Sequence, residues 1–297
     1  MSGGSTLPRR ALGRRLRDLR LKAEKSLLSA AVHIDVSKQT IGRMEEGQYV
    51  RISTAQYQYL LDLYKVDESG RSEVMGLIQE AKVARGDTSD GWWRAFDGLV
   101  NPYFNHFMEL ERACSRMTSF QLTLLPGLLH TPAYRRWIMQ ISAPGIQPGE
   151  ADRHWDLVAR RQQRLTEDPD FVLEALISES ALRHQIGGRE VMAEQLRRLV
   201  VAGELPNVSI RAIPFGVGPH PGLAVQSFTL LEFPTLRSGK EAELPVVFVE
   251  GFTGALYVEE ERVIERYRSA LAGIREVALS EEATSRLVLE IAKEYGT

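Results

Sequence analysis

The sequence predicts a mainly α head of five short helices, followed by an α+β domain with a small sheet. Apolar residues recur at helical spacing in five successive blocks between residues 8 and 85. Short β-rich runs cluster between residues 171 and 258, with helical patterns before and after them. A polar stretch bounded by glycines, Gly86 to Gly91, separates the two parts. The length of 297 residues suits two domains, and their boundaries are placed at 8–85 and 92–297.

In the head, the first helix is expected from about Pro8 to Ala23, with Leu12, Leu16, Leu19 and Ala23 along one face. Ser26 caps a second helix whose inner face is Leu27, Ala31 and Ile34. Asp35 occupies the following turn, where a left-handed backbone is needed that aspartate enters more readily than most residues. Ser37 caps the third helix, with Ile41 and Met44 inward and Lys38, Gln39, Thr40 and Arg43 outward. Ser53 and Gln56 make a capping box for a fourth, with Tyr57, Leu60, Leu61 and Tyr64 inside. The fifth runs from about Ser72 to Arg85 and offers Val74, Leu77, Ile78 and Ala81.

The second and third helices form a helix-turn-helix, and that motif points to double-stranded DNA. Charge points the same way. Residues 1–51 hold 11 Lys/Arg and 5 Asp/Glu, whereas the remainder holds 26 and 34, so a basic head precedes an acidic body within a net charge of −2. Side-chain chemistry distributes the contacts. Arg43 suits the O6 and N7 of guanine, Gln39 the N6 and N7 of adenine, and Lys38 either a guanine or a phosphate. Ser37 and Thr40 at the helix start, with Arg14 and Arg51, suit phosphates. Gly42 inside the third helix costs about 1 kcal/mol relative to alanine. It either admits a close approach of backbone to DNA or is simply tolerated.

The motifs Leu19-Arg20, Ala31, Val36-Ser37 and Ile41-x-Arg43-Met44-Glu45-x-Gly47 resemble the lambda-repressor-like (Xre-type) DNA-binding family over about residues 8–70. The resemblance implies a five-helix head and an ion pair between Arg20 and Glu45. Leu27 stands where many members carry a phosphate-contacting glutamine, which implies that this contact is lost.

In the body, helices are expected from Tyr103 towards Met117, from Thr131 to Gln140, from Glu150 to Leu165, after Gly187-Gly188, from Glu260 to Ala272 and from Glu281 to Lys293. Phe120, Leu122 and Leu124 alternate as in a strand. Phe171 to Ile177, Val208 to Ile213, Ser227 to Phe233, Val246 to Val249 and Leu256 to Val258 complete the β-rich runs. Trp92-Trp93 is expected to dock the linker, and Gly216 to Gly222 reads as a surface loop or a lid. Runs at Glu109 to Ala113, Leu125 to Arg135, Arg160 to Leu165, Ser178 to Arg183, Glu194 to Leu199 and Pro206 to Phe215 resemble the effector domain of actinobacterial antitoxin-like transcriptional regulators. That resemblance implies a regulator architecture, often beside a small partner protein, and supplies no mechanism.

Hydrolase serine elbows, phosphate-binding glycine loops and zinc-protease helices are missing from the sequence, so no enzyme activity is expected. The single cysteine, Cys114, excludes an internal disulfide, and the six histidines lack metal-ligand spacing; no cofactor or metal is expected. No apolar run approaches the ~20 residues of a membrane span, and a cytoplasmic location is expected. Leu128, His130 and Tyr134, with Arg160 and Arg161, are the candidate surface for a small protein partner or a small-molecule effector. The expected function is that of a homodimeric, sequence-specific transcriptional regulator. The alternative is an antitoxin-like protein that sequesters a small partner and uses its head for autoregulation.

Overall fold

The computed structural model describes residues 7–83, 102–142, 148–235, 243–251 and 254–296. The expected linker at Gly86 to Gly91 and the Trp92-Trp93 pair lie outside the described residues. The chain divides into two compact units. One holds the five N-terminal helices together with Phe233–Leu244, and the other holds the rest.

The head helices are α1 (Leu7–Lys22), α2 (Leu27–His33), α3 (Lys38–Glu45), α4 (Thr54–Leu63) and α5 (Glu68–Val83). Three serines start three of them. The hydroxyls of Ser26, Ser37 and Ser53 accept from the backbone N–H of Ser29, Thr40 and Gln56, and Gln56 returns a bond to Ser53 in a full capping box. Helix α5 begins four residues before Ser72, because Asp67 accepts from the N–H of Gly70 at 2.9 Å and caps it there. Leu16, Ala31, Ile41, Leu60, Leu61 and Val74 form the centre of one apolar core with at most 1 % exposure each.

The second unit contains α6 (Pro102–Ala113), β1 (Arg116–Gln121), α7 (Pro132–Ser142), α8 (Pro148–Gln162), α9 (Arg164–Glu167) and β2 (Val172–Ser178). It continues through α10 (Glu179–Arg183), α11 (Arg189–Ala202), β3 (Val208–Ile213), β4 (Phe228–Glu232), β5 (Val246–Gly251), β6 (Gly254–Val258), α12 (Glu261–Val277) and α13 (Glu281–Tyr295). The six strands make one mixed sheet in the order β3-β2-β1-β4-β5-β6. Strands β1, β2 and β3 are parallel, whereas β4, β5 and β6 add antiparallel. Parallel neighbours require long crossovers, and α7 to α9 and α10 to α11 fill them. One face of the sheet sends Phe120, Leu176, Leu230 and Val247 into a core with Ile264, Leu271 and Ile274 of α12. Side chains alternate along a strand, so Phe248 faces the other way, where Phe107 of α6 lies 4.4 Å from its ring.

Several boundaries differ from the expected ones for local reasons. Helix α6 stops at Ala113 rather than near Met117. The Arg164 guanidinium donates to the carbonyls of Glu111 and Cys114, taking up acceptors that the helix end leaves open. The expected helix over 150–165 is two helices, broken at Gln163. The short α10 was not foreseen; Ser178 caps it and Arg183 pairs with Glu179 at 2.7 Å. The loop at Gly216 to Gly222 is anchored rather than open. A side chain at Gly273 of α12 would meet Pro221 at 2.8 Å, and one at Gly222 would meet Phe120 at 2.9 Å. No described helix is long and apolar enough to cross a membrane.

Candidate DNA-binding face

The turn between α2 and α3 takes the conformation its sequence needs: Asp35 has φ 55°. Ile41 and Met44 anchor α3 in the core at 0 % and 3 % exposure, while Ser37, Lys38, Gln39 and Arg43 are exposed and Thr40 is half-buried. All three predicted base readers, Lys38, Gln39 and Arg43, are therefore open to solvent on α3, with the predicted phosphate contact Ser37 exposed at its start. Ser37 Oγ lies 2.8 Å from Thr40 Oγ1, so the two hydroxyls are coupled at the helix start.

Arg43 is held by a residue that sequence reasoning missed. Its Nε donates to Gln48 Oε1 at 3.0 Å, and Gln48 in turn donates to Glu46. This leaves the outer edge of the guanidinium, the part that forks onto guanine, without a partner among the described residues. The bond to Gln48 restricts a flexible side chain before any ligand arrives, which lowers the entropy lost on binding.

The back of α3 is fixed by the ion pair that the family resemblance implies. Arg20 Nε donates to Glu45 Oε1 at 2.6 Å and Nη2 to Oε2 at 2.8 Å, with Nη1 bonded to the carbonyl of Lys25 at 2.8 Å. The pair ties the end of α3 to α1, and the hydrogen bonds to Glu45 hold the Arg20 pKa above its ordinary value. Close packing adds to it, since a side chain at Gly13 of α1 would meet the Met44 carbonyl at 2.6 Å. Gly47, with φ 71°, lets the chain leave α3.

The outer basic residues have different surroundings. Arg51 is exposed and lines a concavity of about 460 Å³ with Arg9, Tyr49, Tyr57 and Lys82. Arg9 lies over the Tyr49 ring at 5.4 Å. Arg14 is half-buried and pairs with Glu243, as does Arg10 at 3.5 Å. A carboxylate from Phe233–Leu244, a segment far along the sequence, thus occupies the predicted phosphate contact Arg14.

In the body, most of the candidate partner surface lies inside. Leu128, His130, Tyr134 and Arg161 are 2 %, 4 %, 0 % and 7 % exposed, while Arg160 is exposed. The Tyr134 hydroxyl accepts from the N–H of Leu125 at 3.2 Å, and His130 Nε2 donates to the Leu125 carbonyl at 2.8 Å. Gln195 braces the same turn by bonding the Leu129 carbonyl and the Thr131 N–H. Arg161 forks onto Glu111 of α6. Burial pushes Cys114 up to about 12, so its thiol stays protonated.

Comparison with known families divides the chain between residues 74 and 104, and the second match runs through Phe233–Leu244, which the fold groups with the head. A helix-turn-helix domain model matches residues 11–74, covering α1 to the first part of α5. A second model, the domain of unknown function DUF5753, matches residues 104–290, which span the sheet and the helices around it. No curated protein and no solved structure matches the chain. Carrying a helix-turn-helix domain ahead of this six-stranded α+β unit, the chain belongs to the DUF5753 family.

Proposed function

We propose that the protein is a sequence-specific DNA-binding transcriptional regulator of the Xre type, acting as a homodimer. One observation carries the reading: α3 presents Lys38, Gln39 and Arg43 to solvent while Ile41, Met44 and the Arg20–Glu45 pair clamp it from behind. A helix so placed enters the major groove with donors for guanine and adenine edges already displayed. At eight residues α3 is about 12 Å long and reaches only a few base pairs. Useful specificity therefore calls for two half-sites about one helical turn apart and two copies of the chain.

The C-terminal unit receives the signal, from a small ligand or a protein partner, and no chemistry is assigned to it. Selection from a random duplex DNA pool with the full chain tests the reading, followed by light scattering of the selected complex. Recovery of an inverted repeat bound by two chains supports it. An unenriched pool, or one chain per site, overturns it.

A further inference from the structure

Among the described residues, the interior polar groups on the α6–α8 side of the sheet leave the Arg135 charge without a partner. Arg161 and Glu111 satisfy each other through two bonds of 2.6 and 2.5 Å, so neither charge is available to a third group. Arg135 of α7 is the remainder. Its Nε is fully buried and makes no hydrogen bond, and no ion pair joins it to a described carboxylate. The charges it feels are Arg161, which repels it, and Glu250, which attracts it from the exposed end of β5. Burial first, then Arg161, bring its pKa down to about 10.

His130 feels the Arg135 charge but offers an anion no donor. It gives its Nε2–H to the Leu125 carbonyl, so its buried, unpartnered Nδ1 is a lone pair. Burial, then the Arg135 charge, push its pKa down to about 3, so it stays neutral and adds no counter-charge. A buried cation without an anion is costly. Arg135 nonetheless keeps part of its surface in solvent.

Parallel α/β sheets bind ligands outside the carboxyl ends of their strands. Strands β1, β2 and β3 present those ends at one edge, while β4 beside β1 runs the other way. His130 and Tyr134 are bonded to Leu125, just beyond the carboxyl end of β1. Strand β5 runs in the same direction as β1, so Glu250 marks the same edge.

We propose that Arg135 is an anion-binding subsite for a small oxyanion, a carboxylate or a phosphate group. A guanidinium matches either in a forked geometry. The proposal deepens the signal-receiving role proposed for this unit and rests on it.

The test uses the full chain without DNA, melted in inorganic phosphate or in succinate against chloride at equal ionic strength. At ten times its Kd the bound anion raises the wild-type melting temperature by about 3–6 °C, and the rise saturates. R14A, altered in the head, keeps the rise. R135M loses it while melting no lower than wild type in chloride, and this difference removes the general stabilisation that such salts give. R135K, which retains the charge and loses the fork, folds and weakens the anion about tenfold, so the assignment does not depend on R135M. Equal rises in wild type and R135M, loss of the rise in R14A, or no rise with either anion would overturn the subsite. A failed DNA selection would instead count against the regulator reading and leave this result in place.

Discussion

Gly42 lies inside α3 and offers a substitution whose two effects separate stability from recognition. Glycine in a helix interior costs about 1 kcal/mol relative to alanine. A Cβ built at Gly42 meets nothing within 4 Å, so no steric term offsets that gain. Gly42→Ala should therefore stabilise the head by about 1 kcal/mol, which raises the melting temperature of a unit this size by about 4–8 °C. The new methyl stands one turn from Lys38 and Gln39 on the exposed side of α3. If that side faces DNA closely, the methyl holds the backbone away and weakens every sequence alike, by tenfold or about 1.4 kcal/mol. Thermal unfolding and operator titration read the two effects independently. A variant that melts lower would refute the helix geometry. One that melts higher and binds as wild type would show that the glycine is merely tolerated.

Two further expectations follow from the buried polar groups. Glu45→Ala leaves Arg20 buried without its carboxylate and should cost about 3–5 kcal/mol in denaturant unfolding, whereas replacing both partners by apolar residues should recover most of that; a loss below about 1 kcal/mol would show the pair to be incidental. His130 has its folded pKa at about 3, below the ordinary 6.5, so between those values the unfolded chain binds the proton and the folded one does not. Stability is then complete above about pH 6.5 and falls by about 1.4 kcal/mol per unit as the pH drops towards 4. His130→Gln should flatten that slope in urea unfolding at a series of pH values, and an unchanged slope would place the histidine elsewhere.

The head was legible almost residue by residue because its signals are local. Helical periodicity placed Leu12, Leu16, Ile41, Leu60 and Val74 in the core, and serine chemistry placed three helix starts. The turn at Asp35 followed from its tolerance of positive φ. What the head hid were side-chain meetings beyond the helical repeat: Gln48, five residues on, holds Arg43, and Glu243 reaches Arg10 and Arg14 from far along the chain. In the body five of the six strands were readable, with Val208 to Ile213 matching β3, whereas the strand expected at Phe120, Leu122 and Leu124 is displaced to Arg116–Gln121. Their order and direction were not, since a period of two is the same in parallel and antiparallel strands. Arg161 read as a surface cation because its helix is rich in charge, yet its carboxylate partner lies fifty residues away on α6. Arg135 passed unnoticed for the converse reason, since an arginine without a partner leaves no pattern in sequence.

The measurement nearest to the central claim compares Arg43→Ala and Arg51→Ala on the selected operator and on single-base variants of it. The account predicts that Arg43→Ala loses about 1–3 kcal/mol of discrimination at one base pair of each half-site. Arg51→Ala, which removes an exposed arginine expected at a phosphate, should weaken all sequences about equally and flatten the dependence of affinity on salt. Unchanged selectivity in Arg43→Ala, with the affinity of every sequence reduced alike, would mean that α3 does not read the DNA.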